Sequence, residues 1–319
     1  MRGAGGRTPP ASISQIFPMH AGRIIRIVRG QLPSGAWESV RATAHPELAM
    51  YVRGYQGYFE ASSKPVRRRE LPSGDVALII SFGPRYELID PVSGGSLETC
   101  CTFIAGLDDA YSLVDSSGAG VAMQIDFTPI GAHRVLQTPM HLLAHRATEL
   151  SNLLGSVANR LVERLFEAPH WRSRFTILDE YLLAKIRAAP TVSREIQWAW
   201  QQLTISNGMT PISKISGNLS WTRKRLVRAF RDRIGVPPKT LSRVLRFQHA
   251  LAKLGSPKRK RVPDSRRMRV QRPGTHDSGI RRIVRVHSDR TRPMLFHRWW
   301  HRGSLIRETF LQYRTAASS

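Results

Sequence analysis

The chain has 319 residues, 41% of them hydrophobic, enough for two domains with ordinary buried cores. No stretch approaches the roughly 18 consecutive apolar residues of a membrane span, and Arg23, Arg26 and Arg29 interrupt the Ile-rich stretch near the N-terminus. A spanning helix and a signal core are therefore not expected, and the sequence reads as cytoplasmic. The formal charge of +26 is unevenly placed: residues 45–195 carry 15 Lys/Arg against 17 Asp/Glu, residues 196–255 carry 11 against 1, and residues 256–319 carry 17 against 4. A one-ended cationic field implies a polyanion partner, nucleic acid or less often an anionic membrane surface, beside a near-neutral module with another task.

In chain order, residues 1–44 are rich in Gly, Pro, Ser and Arg and read as a disordered leader. From Tyr51 the pattern becomes β-like. Val76–Phe82 is an apolar run of strand length bounded by Gly74-Asp75 and Gly83-Pro84. Val121, Met123, Ile125 and Phe127 alternate with Ala122, Gln124 and Asp126, as a strand with two different faces requires. Shorter pieces at Tyr86–Ile89, Cys101–Ile104 and Tyr111–Val114 complete a small antiparallel sheet or barrel over about 45–135. Cys100 and Cys101 are adjacent, and two thiols make neither a usual disulfide nor a four-ligand zinc site. The period then turns helical. Val157, Leu161 and Leu165 form one stripe, and Trp171, Phe175, Leu178, Leu182 and Ile186 form another. These helices link the sheet to the C-terminal module, with apolar faces suited to pairing two subunits in a homodimer.

Residues 196–255 read as four helices with short breaks. The first buries Ile196, Ala199, Trp200 and Leu203 and ends at Asn207-Gly208. The second follows Pro211 and buries Ile212, Ile215 and Leu219. The third starts at Thr222, whose hydroxyl suits an N-cap, with Leu226, Phe230 and Ile234 inward and Gly235 closing it. A longer helix runs from Pro238 to Leu254 with Leu241, Val244, Leu245 and Leu251 inward. A short helix, a tight turn and a capped, arginine-studded helix suit a major-groove reader. The candidate DNA contacts are Thr222, Arg223, Lys224, Arg225, Arg228 and Arg231 on the third helix, with Lys214 and Lys239 at its flanks. Arg pairs bidentately with guanine, and Lys holds phosphates.

Three segments then carry a resemblance. Trp221–Arg231, Gly235–Thr240 and Arg243–Ala250 are similar to the first helix-turn-helix and linker helix of the AraC-type DNA-binding domain. His45–Ile186, with Leu71-Pro72-Ser73-Gly74 and Phe127-Thr128-Pro129-Ile130-Gly131-Ala132, resembles the cupin-like N-terminal domain of one subgroup of those regulators. The resemblance implies a sequence-specific regulator with helix 222–233 in a major groove, a small-molecule effector or dimerisation role for the N-terminal half, and contact with RNA polymerase. Ser216 and Ser220 depart from it, standing where the family usually has Ala and Gly. From Ser256 the chain becomes Arg-, Pro-, Ser- and His-rich where a second helix-turn-helix belongs, which suggests an altered reading frame and a disordered basic tail over 256–319.

The expected fold class is α+β: a β-rich sensing or dimerisation domain with linking helices over 45–190, then an all-α DNA-binding domain over 191–255. No enzymatic activity, cofactor, metal or membrane partner is expected. His141 and His145 stand four apart as on a zinc-binding helix, but Leu142 occupies the place of the catalytic Glu. Two other classes stay open. One is a degraded regulator that binds DNA nonspecifically, its Lys258-Arg259-Lys260-Arg261 patch acting as an electrostatic arm. The other is a small metal-dependent cupin-like enzyme, for which residues 45–135 offer only His45 and His133.

Overall fold

A computed structural model describes residues 23–32, 35–83, 85–254 and, for the backbone, 294–297. The strands are β1 (Arg23–Leu32), β2 (Gly35–Thr43), β3 (Val52–Ser62), β4 (Val66–Glu70), β5 (Val76–Ser81) and β6 (Tyr86–Ile89). They continue as β7 (Ser96–Cys100), β8 (Thr102–Ala105), β9 (Ser112–Ser116), β10 (Ala119–Phe127), β11 (Ala147–Glu149) and β12 (Met294–His297). Seven form one sheet in the order β1-β2-β3-β10-β5-β8-β11, and five form a second in the order β12-β4-β9-β6-β7. The α+β class expected from the sequence is the class observed.

The alternation in β10 sets the architecture. Tyr55 on β3, Ile125 on β10 and Leu78 on β5 lie abreast, so one face of the large sheet is apolar. Gln56, Gln124 and Ile79 lie abreast on the opposite face. There Tyr58 donates its hydroxyl to Gln124 Oε1 at 2.7 Å, and Gln124 Nε2 donates to Asp126 Oδ1 at 2.9 Å. Burial pushes the Asp126 carboxyl well above the carboxylate range, and the charge of Asp75 adds to this while Arg41 opposes it.

The helices are α1 (Pro129–Leu136), α2 (Leu150–Leu154), α3 (Ser156–Glu167) and α4 (Trp171–Ala188), then α5 (Arg194–Ile205), α6 (Ile212–Asn218), α7 (Arg223–Arg233) and α8 (Pro238–Leu254). The apolar stripe of α4 covers the apolar sheet face. Trp171 seats against Gly57, where a Cβ would stand 2.5 Å from the indole, so only glycine permits this approach. Phe175 stacks on Tyr55 with centroids 5.6 Å apart. The buried Asp179 accepts from the Tyr55 hydroxyl at 2.7 Å and from His45 N at 2.9 Å, tying the helix to the sheet. The stripes on α3 and α4, which the sequence offered as links to the C-terminal module and as faces suited to pairing two subunits, are used inside this chain: Leu161, Leu165, Phe175, Leu178, Leu182 and Ile186 are all buried.

Residues 23–43 depart from the expected leader. Of these, 23–32 and 35–43 form the antiparallel pair β1 and β2; β2 pairs with β3 from Gly35 to Ala42 and buries Val40 and Ala42. β1 is the edge strand of the large sheet, where Arg26 and Arg29 remain solvated and the ladder is irregular only between Ile24 and Arg26. The remaining leader residues, 1–22, lie outside the described residues. So do 255–293 and 298–319, and with them the expected basic tail, except that Met294–His297 pairs parallel to β4 with Met294 opposite Arg67. His141 and His145 do not share a helix. His141 lies in the single 3-10 turn Met140–Leu142, and His145 takes φ 61° beyond it.

Candidate nucleic-acid interface

The helical C-terminal module follows from its caps and core spacing. Ser193 caps α5 by accepting from Ile196 N. Ile196, Ala199, Trp200 and Leu203 then face inward. Asn207 at φ 51° and Gly208 at φ 76° turn the chain. A Cβ on Gly208 would sit 2.3 Å from Ser242 O, so the turn rests directly on α8. Ile215 of α6 is fully buried, while Ile212 and Leu219 are only half-buried at the rim of this core.

The α6–α7 turn shows what the two serines do. Ser220 occupies the left-handed region at φ 53°, a conformation that costs a non-glycine residue about 1 kcal/mol. Ser216 Oγ donates to Ser213 O at 3.0 Å, and Trp221 N donates to Ser216 O at 3.0 Å, so the turn closes despite the substitutions. Thr222 Oγ1 then accepts from Arg225 N at 3.2 Å, the N-cap expected from the sequence. Leu226, Phe230 and Ile234 are fully buried, and Gly235 follows at φ 108°.

The face opposite that core is cationic. Arg223, Lys224, Arg225, Arg228 and Arg231 are all exposed, as is Thr222. Lys224, Arg228 and Arg231 recur at helical spacing along one outer line. The Arg225 guanidinium lies 4.2 Å from the Trp221 ring centroid, which holds it over the start of the helix. Lys214 on α6 and Lys239 in the first turn of α8 are exposed as well. Every residue named as a DNA contact from the sequence is therefore at the surface.

Arg233, Arg243 and Arg246 are engaged elsewhere. Arg243 on α8 forms an ion pair with Asp109, and Arg246 donates to Gly208 O at 3.4 Å. Arg233 pairs with Asp232 at 3.0 Å and contacts His133 Nε2 on α1. Burial pushes the His133 imidazole below its ordinary value, the Nδ1 bond to Thr138 O opposes that, and the Arg233 charge adds to the lowering. On the β side, Gly74 N donates to Gln248 Oε1 at 3.4 Å, and Arg53 bridges Asp75 at 3.4 Å while lying 5.4 Å from the Trp200 ring centroid. The loop Leu71–Asp75 and Asp109 thus clasp α5 and α8. Nothing in the sequence signals the Gly74–Gln248, Arg53–Trp200 and Asp109–Arg243 contacts, because each joins residues more than a hundred positions apart.

Asp108, Asp109 and His145 bring ligand-type atoms within 4.8 Å of one another. The group's interactions are internal: Asp108 holds His145 Nδ1 at 2.9 Å, and Asp109 holds Arg243. No helix among the described residues is long and apolar enough to cross a membrane.

The fold defined by these observations is a two-sheet β module whose helices merge with a helix-turn-helix module. A family model described as a domain of unknown function matches residues 40–149, from the end of β2 through β11. None of the curated proteins matches the chain. Among solved structures, an apo ToxT variant from Vibrio cholerae strain SCE256 is similar at 13% identity, covering 63% of this chain and 82% of that one, with a TM-score of 0.34. ToxT from Vibrio cholerae O395 is similar at 14% identity, 64% and 84% coverage and a TM-score of 0.32. The AraC-like transcriptional activator CuxR follows at 12% identity, 71% and 86% coverage and a TM-score of 0.28.

Proposed function

We propose that the chain is a sequence-specific, DNA-binding transcription regulator that lays α7 in the major groove. The observation that carries this reading is the sorting of charge on α7. Its core face is fully buried, its capped N-terminal half presents Arg223, Lys224, Arg225 and Arg228 to solvent, and its one acid, Asp232, is paired with Arg233. Early residues of a recognition helix reach base edges, and Lys214 and Lys239 flank them as phosphate holders. The β module takes the role of effector binding or self-association that sets DNA affinity or polymerase contact. The domain division at about residue 190 belongs to the same proposal.

One observation favours a second reading, a protein that holds DNA by phosphates alone. The described residues contain a single helix-turn-helix, which reads only a few base pairs. Selection of bound sequences from a random DNA pool by the full chain, at near-physiological salt, separates the two. A defined motif, lost with Arg223→Ala or Arg228→Ala, supports the regulator. Unenriched DNA, with log affinity falling by about 0.9 per neutralised phosphate as log salt rises, supports the phosphate-only binder.

A further inference from the structure

The C-terminal end of α7 is tied to the β module through one histidine. Gln137 at φ 52° closes α1 with its N–H donating to His133 O at 2.8 Å, and the turn brings Thr138 O to 3.0 Å from His133 Nδ1. On the other side of the ring Arg233, the last residue of α7, sets Nη1 against His133 Nε2.

These two contacts fix the protonation of the ring. A carbonyl only accepts, so Nδ1 carries a proton, and a guanidinium only donates, so Nε2 has to offer its lone pair. The neutral imidazole alone meets both conditions. A second proton would sit on Nε2 and face an N–H of a cation, which removes the hydrogen bond and brings two positive charges together. Among the described residues the charges that bear on the ring are Arg233 and Asp232, both of α7. Asp232 does not relieve the conflict, because its Oδ2 is taken by Arg233 Nε at 3.0 Å, which holds the guanidinium in front of the ring. Arg134, next on α1, turns away to Tyr51 Oη, Ile186 O and Ala189 O, and His141, in the 3-10 turn that also packs on α7, is exposed. Burial holds the imidazole below its ordinary value and Arg233 adds to this, while the Thr138 bond and Asp232 oppose it.

We infer that His133 is a proton-operated catch on α7: neutral, it holds the C-terminal end of the helix to α1, and protonated, as pH falls from about 7 towards about 5, it lets that end go. The folded ring titrates below its unfolded value, so the stability the catch contributes is complete above about pH 6.5 and is lost as pH falls below it. The catch itself stands independently of DNA binding; its effect on DNA affinity rests on the major-groove reading.

Nuclear magnetic resonance on the full chain tests it by reading the ring and the helix end separately. The His133 Cε1 proton should titrate below the ordinary histidine value and move upward in Arg233→Gln, whose amide can donate to the neutral ring or accept from the charged one. The Ile234 and Gly235 amides both donate to Phe230 O, and their exchange protection should fall at least about threefold between about pH 7.5 and about pH 5.5. Leu226 N, bonded to Thr222 O at the other end of the helix, should keep its protection. His133→Gln keeps an acceptor for Arg233 but does not titrate, so it should abolish the response of Ile234 and Gly235 at an unchanged melting temperature near neutral pH. A His133 midpoint unmoved by Arg233→Gln, or the same loss of protection in His133→Gln, would overturn the inference. Over the same pH step, wild-type affinity for a selected DNA motif should fall at least about threefold relative to His133→Gln. An equal response of the two proteins would overturn the link to DNA, whereas absence of a selected motif in both would refute the major-groove reading and not the catch.

Discussion

Phe230 tests whether the β module and the helix-turn-helix are one cooperative unit. Its side chain is fully buried, and the cluster around it runs unbroken from Leu226, Ile234 and Leu241 through Met140 and Val135 to Phe127 and Ile125. Gly235 reinforces the junction, since a Cβ there would stand 3.2 Å from Met140 O. Phe230→Ala removes a buried aromatic ring, with an expected cost of about 3–5 kcal/mol. An unfolding entropy of about 2.1 cal/mol/K per residue over roughly 230 ordered residues gives about 0.5 kcal/mol/K, so a shared transition should fall by about 6–10 °C. Were the module of about 60 residues that follows α4 to melt alone, the same loss would lower its own transition by about 25 °C or more. Scanning calorimetry distinguishes the cases. One transition moved by the smaller amount is expected, and two transitions with only the lower one displaced would refute the single-core reasoning.

Three further outcomes follow from local geometry. Thr222→Ala deletes the cap on α7 and should cost about 1 kcal/mol in denaturant titration. Ser220→Gly should change stability by less than about 0.5 kcal/mol, because relief of the left-handed backbone is offset by a freer unfolded chain, whereas Ser220→Val should lower it by about 1–2 kcal/mol. Asp126→Asn should raise the melting temperature at pH 7. The folded carboxyl titrates above its unfolded value, so stability falls as pH rises from about 4 towards the folded pKa. The gain should accordingly fade as pH falls to about 4, and a gain independent of pH would contradict the sign.

What was legible in the sequence was local. The Thr222 cap, the Leu226–Phe230–Ile234 spacing and the β10 alternation each depend on residues a few positions apart, and each appears in the structure as expected. The β1–β2 hairpin was not legible, and its register explains why: an irregularity between Ile24 and Arg26 breaks the period of two that a clean strand would show. The zinc reading of His141 and His145 was set aside already in the sequence, and only their placement on a helix was overturned, for the converse reason. A spacing of four has meaning only on a helix, and the chain leaves its 3-10 turn before His145. The Trp171–Glu38 hydrogen bond and the Arg243–Asp109 ion pair had no signal, since a side-chain contact across more than 130 positions is invisible without the fold that closes it.

Basic residues of similar appearance in the sequence therefore perform two tasks, and only their partners separate them. Arg233 and Arg243 turn back to His133 and Asp109 and hold the helices to the β module, whereas Arg223, Lys224, Arg228 and Arg231 point away from that junction. On the proposed reading, DNA meets a surface that the clasp leaves uncovered, so binding does not require the modules to separate. Separation would in any case expose Phe230, Ile234 and Val236, each buried in the shared core, at about 1.5–3 kcal/mol per side chain. On the same proposed reading, regulation fits a small change in the set of α5 and α8, transmitted where Gly74 meets Gln248 and Arg53 meets Trp200, better than release of a tethered DNA-binding domain.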